Sequence, residues 1–574
     1  MTSPAKSPSD VLQQISRSGA GMLEQLLRDL PTASTGDMAA LMSVFATADA
    51  RQLEKLRTLE ERFYRDHFAL WSRMCFPGED GKMPASEGDS RFEGPEWELP
   101  FFLYLRQTYL LNARFLLELG ELAELEPKAK RRLQFNLRQL TDAMSPNNYA
   151  ATNPEVIKLA AQTGGESLAQ GMTLLARDVA RGRISMTDEQ AFEVGRNLAI
   201  TPGAVVLENE VMQLIQYAPV TPEVYDYPLL IVPPFINKYY ILDLQPENSF
   251  VRFCVEQGFT TFIVSWRNVP PELGRLGWDN YIENGVLAPL RAVKAICSAD
   301  KINTLGFCVG GTLLSCAMAV MASRKEERVA SLTLLATLLD FAEPGDIGVY
   351  INREFVERSE EEFRESGLMP GGKLASTFAT LRANDLIWHF VVDNYLKGKP
   401  PKAFDLLYWN ADSSNLPGRL YAYYLRNMYF ENNLRIPGKL EACGVPLDLG
   451  AIAVPAYIVA TREDHIVPWK SAYASAGLLE GSCDFVLGAS GHIAGIVNPA
   501  SKNRRHFWVN PSVGADADAW LANATQQPGS WWRHWAAWLS SRSGMRKAAV
   551  TDLGNSQYPV LEAAPGRYVK EQSS

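Results

Sequence analysis

The sequence predicts an α/β protein: a mostly parallel sheet covered by helices, preceded by a helical domain and interrupted by a large cap. Three features carry this reading. The first third of the 574 residues has apolar side chains at helical spacing, with few Gly or Pro residues inside the periodic stretches. From Thr201-Pro202 onward, short β-rich apolar runs alternate with helical ones, the pattern of strands joined by crossover helices. One interval between such runs, residues 342–449, is too long to be a loop and is predicted to fold as a cap over the carboxyl end of the sheet. The predicted division is therefore residues 1–200, mostly helical, and residues 201–574, catalytic, with the cap at 342–449.

In the first domain, helical spacing covers residues 11–30, 53–71 and 103–140, and the stretch from Asp80 to Pro95 reads as an exposed loop. In the second, predicted strands are 229–232, 260–264, 302–307, 331–335, 454–460 and 485–487. Helical patterns fill 249–257, 282–297 and 312–321. The inserted stretch holds charged helical segments (354–365) and aromatic ones (404–408, 421–429). The tail after Asp516 contains a helix with Trp531, Trp532, Trp535 and Trp538, whose spacing fits core packing better than a surface anchor.

Bulk properties narrow the function. With 47% hydrophobic and 21% charged residues the chain can bury a large core. A net charge of −9 and the lack of a basic block argue against nucleic acid as a partner. The seven cysteines are irregularly spaced with no CxxC pair, which predicts free thiols in a reducing compartment and no zinc site. No apolar run reaches membrane-spanning length and the N-terminus has no signal core, so a cytoplasmic location is expected.

The chemistry concentrates at Gly306-Phe307-Cys308-Val309-Gly310-Gly311. A predicted strand runs into this segment and a helix leaves it, and the spacing matches the G-x-S-x-G nucleophile elbow with Cys for Ser. The following helix's dipole favours a thiolate at Cys308. That motif belongs to the α/β-hydrolase fold, whose catalytic residues come in the order nucleophile, acid, histidine. Of six histidines, His492 directly follows the last predicted strand, where this fold places its base. Asp464 follows the strand ending at Ala460, where the acid belongs, with Glu463 as competitor. His465 is a candidate to line the site, though a locally satisfied histidine fits equally well. His506 and His534 sit in aromatic surroundings and read as packing or surface residues. The oxyanion of an acyl-transfer intermediate needs two backbone N–H donors. Val309 supplies one by position. The other comes from the loop Pro233-Pro234-Phe235-Ile236-Asn237-Lys238, with Ile236 the better placed and Asn237 beside it. Cysteine here points toward transfer: thiolate attack on a thioester conserves the activated acyl bond, which a serine ester would partly spend. A hydrolytic thioesterase of the same fold, with a cysteine nucleophile, is the competing reading.

Several stretches together resemble the polyhydroxyalkanoate synthases, specifically their class I members. They are Pro233 through Leu244 (PPFINKYYILDL), Ser265-Trp266-Arg267-Asn268, Gly306 to Gly311, Tyr408-Trp409-Asn410-Ala411-Asp412, Asp464 through Trp469 (DHIVPW) and Gly491-His492-Ile493-Ala494-Gly495. Phe235 departs from members that carry Cys there. The resemblance implies polymerisation of (R)-3-hydroxyacyl-CoA, typically 3-hydroxybutyryl-CoA, into polyester with release of coenzyme A. It implies a triad of Cys308, Asp464 and His492, and oxyanion donors at Val309 and Ile236. It implies no cofactor, coenzyme A being part of the substrate and a product. It further implies a homodimer at the surface of intracellular polymer granules, in company with granule-coating proteins, and a granule-attachment role for the N-terminal domain. Whether His492 or Asp464 activates the incoming hydroxyl stays open at this level. Lys238 and Arg267 are candidates by position to meet coenzyme A.

Overall fold

The computed structural model describes residues 49–76 and 89–573. The helix expected over 11–30 lies outside the described residues, as does most of the loop expected from Asp80. The chain separates into two compact units. One holds the described residues up to Asp188 together with Ser376–Lys402; the other holds Glu189–Ala375 and Ala403 onward.

The first unit is helical for reasons visible in its sequence. Helix Ala50–Cys75 opens on a capping box, in which the Asp49 carboxylate accepts from Gln52 N at 2.7 Å and Gln52 Oε1 accepts from Asp49 N at 3.0 Å. Helices Pro100–Leu122, Pro127–Ala143 and Pro154–Gln162 each begin with proline, whose missing N–H costs nothing in the first turn. The stretch 103–140, expected as one periodic segment, is thus two helices with the break just before Pro127. Leu56, Leu59, Leu119, Leu133 and Leu137 form a shared core.

The segment Ser376–Lys402 lies inside the interval expected to form one contiguous cap, yet it completes this helical unit. Tyr395 Oη donates 2.7 Å to the buried Asp178 carboxylate, and Asn394 Nδ2 donates 2.8 Å to the Ser185 carbonyl. Helix Glu166–Arg181 has Gly171 at the crossing, where a Cβ would stand 2.0 Å from the Tyr395 carbonyl oxygen. The sequence boundary at 200 likewise moves to 188, because residues 189–200 pack with the sheet: Leu198 and Ala199 belong to its buried core.

The second unit is built on an eleven-stranded sheet among the described residues. In chain order its strands are β1 Gly203–Glu208, β2 Met212–Tyr217, β3 Leu229–Val232, β4 Thr261–Trp266, β5 Ile302–Phe307 and β6 Val329–Leu335. They continue as β7 Ala456–Thr461, β8 Cys483–Gly488, β9 His506–Val509, β10 Thr525–Pro528 and β11 Glu562–Ala563. Their spatial order is β10-β9-β8-β7-β6-β5-β3-β4-β2-β1-β11. The six central strands, β4-β3-β5-β6-β7-β8, run parallel. They are also the six strands the sequence predicted. Their apolar runs are continuous because helices cover both faces. The antiparallel flanks (β1, β2, β9, β10, β11) were not anticipated. Helix Trp531–Ser540 is core as expected, with Trp531, Trp532 and Trp535 at most 2% exposed.

Candidate active site

Cys308 sits between β5 and helix Val309–Ser323, with φ 51° and ψ −127°. A non-glycine residue holds such a backbone only when its surroundings over-determine it. Here the Cys308 N–H donates 2.9 Å to Leu335 O on β6, and its carbonyl accepts from Gly311 N at 2.9 Å. The flanking glycines are steric necessities. A Cβ at Gly306 would lie 2.4 Å from Gly311 Cα, and one at Gly310 would lie 2.3 Å from Val232 O. The strand-to-helix turn closes only because both positions lack side chains.

His492 begins the short helix His492–Ile496 after β8. Its Nδ1 lies 2.7 Å from Asp464 Oδ2. The other carboxylate oxygen of Asp464 accepts from Ile466 N at 2.9 Å and Val467 N at 2.8 Å, which fixes the carboxylate's orientation. Asp464, not Glu463, therefore holds the histidine; Glu463 is exposed. The Nδ1 contact directs Nε2 away from Asp464, and Cys308 lies close enough to the same ring to raise its pKa. Burial alone would depress the imidazole's pKa, but the Asp464 carboxylate, and after it Cys308, outweigh burial and push it up to about 10. Phe307 stacks on the His492 ring at 5.6 Å between centroids. From below, Trp531 Nε1 donates 3.0 Å to Gly495 O and Trp532 Nε1 donates 2.9 Å to Ile496 O, so the tryptophan-rich helix anchors the segment that carries His492.

A chain in which β5 ends in a Cys elbow, with Asp464 and His492 following in the hydrolase order, can be compared with known proteins on its whole length. Residues 88–254 match the family model described as the N-terminus of poly-beta-hydroxybutyrate polymerase (PhaC), and residues 227–499 match that of the alpha/beta hydrolase fold. The poly(3-hydroxyalkanoate) polymerase subunit PhaC of Cupriavidus necator is 50% identical over 528 residues, covering 90% of this chain and 89% of that protein. The chain belongs to the poly(3-hydroxyalkanoate) polymerase family. The PhaC subunits of Rhizobium etli and Rhizobium meliloti are 39% and 38% identical, over 85% and 90% of this chain and 78% and 86% of theirs. The fold is that of the α/β-hydrolases, as the elbow implied.

In this family member the loop 233–238 follows β3 directly. Trp266 Nε1 donates 2.8 Å to Pro233 O, Ser414 N donates 3.1 Å to Ile236 O, and Trp409 Nε1 donates 2.7 Å to Lys238 O. Asn237 pairs with Ser413 in an isolated antiparallel bridge. Ile236 and Asn237 are half-buried, while Val309, first residue of its helix, is 1% exposed. Phe235 packs edge-on against Trp266, Trp278 and Tyr281, its ring 2% exposed, which explains why a large aromatic is accommodated there. His465 is half-buried, and its carbonyl accepts from Asp346 N at 2.8 Å, tying the start of the inserted stretch to the loop after β7. Lys238 is nearly sealed from solvent at 2% exposed, so its ammonium is not open to an incoming anion as its position had suggested.

Two residues near Cys308 escaped the sequence reading. Tyr424 and Tyr429 are buried, with rings 5.2 Å apart, and Phe341 packs edge-on against both. Burial raises both phenol pKa values, and Cys308 adds to the rise in each. The aromatic run 421–429 was visible in sequence, but no spacing rule linked it to a cysteine more than a hundred residues earlier. Among the described residues no cluster of His, Cys, Asp and Glu is arranged to hold a metal ion.

Proposed function

We propose that this chain polymerises (R)-3-hydroxyacyl-CoA, with 3-hydroxybutyryl-CoA as the preferred monomer of a class I enzyme, through acyl thioesters on Cys308. The observation that carries the proposal is the His492–Asp464 contact of 2.7 Å, made by the ring that the Cys308 thiol also engages. It stands in a chain half identical, over nine-tenths of its length, to a poly(3-hydroxyalkanoate) polymerase.

His492 takes the proton of Cys308, and the thiolate attacks the thioester carbonyl of the substrate. The N–H groups of Val309 and Ile236 hold the oxyanion; losing one such donor costs about 10²–10³ in rate. The carbon–sulfur bond to coenzyme A breaks, and the departing thiolate leaves as the thiol with the proton from His492. The 3-hydroxyl of the next unit gives its proton to His492, oriented by Asp464, and attacks the acyl-Cys308 carbonyl, forming the ester and freeing the thiolate. The orientation of His492 Nδ1 toward Asp464 favours His492 over Asp464 as the base for this hydroxyl. The scheme calls for no cofactor. A dimer working at a polymer surface is part of the same proposal. Tyr64, Phe68 and Phe76, each more than 60% exposed on or beside helix Ala50–Cys75, support attachment to an apolar phase.

The test is coenzyme A release from 3-hydroxyacyl-CoA thioesters of graded chain length, with the insoluble product recovered and weighed. Release in step with polymer mass, fastest for the four-carbon acyl group, is expected. Free hydroxyacid in place of polymer would make the chain a thioesterase, and a Cys308→Ala variant that still releases coenzyme A would remove Cys308 from the mechanism.

A further inference from the structure

Lys238 ends the loop that bears Ile236, and its side chain points to the far end of the chain. Nζ donates 2.7 Å to the carbonyl oxygen of Glu571, three residues before the C-terminus. The lysine is 2% exposed, and burial pulls its pKa down against the opposing charges of Asp412 and Glu571. A buried ammonium is expensive unless it is hydrogen-bonded, and here the acceptor is a main-chain carbonyl in the tail. The same tail is fastened at neighbouring points. Asn268 Nδ2 donates 2.9 Å to Gln572 O, and the Arg267 guanidinium lies 5.0 Å over the Tyr568 ring and 3.9 Å from the Glu571 carboxylate. Tyr568 and Val569 are themselves buried at 5% and 1%. Asn268 also accepts from Asn415 N at 2.9 Å, next to the Ser414 N–H that holds Ile236 O. The tail, the segment 413–415 and the loop 236–238 are thus one hydrogen-bonded assembly.

We propose that residues 568–573 form a clasp on the oxyanion loop, and that Lys238 is the positioning residue through which the clasp sets the Ile236 N–H. The proposal rests on the reading of Ile236 as an oxyanion donor. Without Glu571 O, the Lys238 ammonium loses its hydrogen-bond acceptor and keeps only the charge of Asp412 nearby, so the side chain and residues 236–238 shift. A displacement of about 1 Å at a reacting group costs about 10² in rate. Lys238 is sealed from solvent, so the loss falls on kcat and leaves substrate binding alone.

The experiment compares Lys238→Met, Lys238→Arg, a chain ending at Val569, and the Lys238→Met variant of that shortened chain. Initial rates of coenzyme A release are measured against 3-hydroxybutyryl-CoA concentration, with a melting curve for each. Lys238→Met and the shortened chain are each expected to lose about 10- to 100-fold in kcat, with KM within about twofold of the parent. The double variant should be no worse than the poorer single one, and Lys238→Arg, which keeps a donor, should recover part of the loss. Three outcomes overturn the clasp: kcat within twofold of the parent in a folded single variant, multiplying effects in the double, or a KM rise that accounts for the loss. If one single variant fails to fold, the other decides; if both fail, the tail is a folding element and the clasp is wrong. Ile236→Pro, which lacks the N–H, separates this from the underlying reading. Full activity there removes Ile236 as a donor, whereas a slow Ile236→Pro beside an unaffected Lys238→Met removes only the clasp.

Discussion

In the elbow at residues 306–311, backbone packs directly on backbone: Gly306 against Gly311, Gly310 against the end of β3, the Cys308 amide on β6. Across from it, the loop at residues 233–238 is held by side chains and amides from elsewhere, including Trp266, Trp409, Ser414 and the tail at Glu571. The first depends on a few adjacent residues having no side chain. The second depends on hydrogen bonds that reach as far as 333 positions along the chain. Short-range steric requirements tolerate no substitution, whereas a set of distributed hydrogen bonds should weaken one step at a time.

The sharpest way to break this contrast is Gly310→Ala. Its methyl would sit 2.3 Å from Val232 O and 2.5 Å from Pro233 O, backbone atoms that cannot swing aside. Coenzyme A release should fall by at least about 100-fold, with a stability loss of about 1–3 kcal/mol or more in chemical denaturation. A near-normal rate would show that the elbow has slack. Trp266→Phe should be milder. It leaves the buried Pro233 carbonyl without its 2.8 Å donor, which costs about 1–3 kcal/mol and about tenfold in kcat, read from steady-state rates. If Trp266→Phe proved as damaging as Gly310→Ala, the loop would be no more tolerant than the elbow.

Smaller still is a pH effect on the elbow's partner. The folded-state pKa of His492, near 10, lies above the unfolded value of about 6.5, so the folded protein favours the imidazolium. The resulting stabilisation is complete below pH about 6.5 and disappears as pH rises through about 10. Cys308→Ala removes one of the groups that raise this pKa. The decline in melting temperature across that window should therefore be shallower in Cys308→Ala than in the parent, as scanning calorimetry would record. The least change is expected for Trp531→Phe, which drops the 3.0 Å bond to Gly495 O beneath His492. About 1 kcal/mol of stability and little rate should be lost.

The same contrast explains what could be read in the sequence. The elbow's glycines and its cysteine lie within six consecutive residues, so Cys308 was legible at once, although the backbone they pack against, at Val232 and Leu335, was not. Asp464 and His492 were legible because each closes an apolar strand of the parallel core. Ile236 was placed by analogy of position alone, and nothing in the sequence disclosed Trp409, Ser414 or Glu571 as the groups that hold its loop. Tyr424 and Tyr429 stayed hidden for the same reason: their approach to Cys308 is tertiary. Of the flanking strands, β2 and β10 mix polar and apolar residues, as Met212–Tyr217 and Thr525–Pro528 show, and β11 has only two residues, so these lack the continuous runs that marked the centre.

The helical unit ends at Asp188 but takes in Ser376–Lys402, made roughly two hundred residues later. A ribosome adding about 5–20 residues per second needs on the order of ten to forty seconds to cover that gap. Through that time Asp178 awaits Tyr395, and Gly171 lies bare where the later backbone will cross. Synthesis order and folding order therefore part company here: the portion translated first is finished only after Cys308, strands β1 to β6 and part of the inserted stretch have been made.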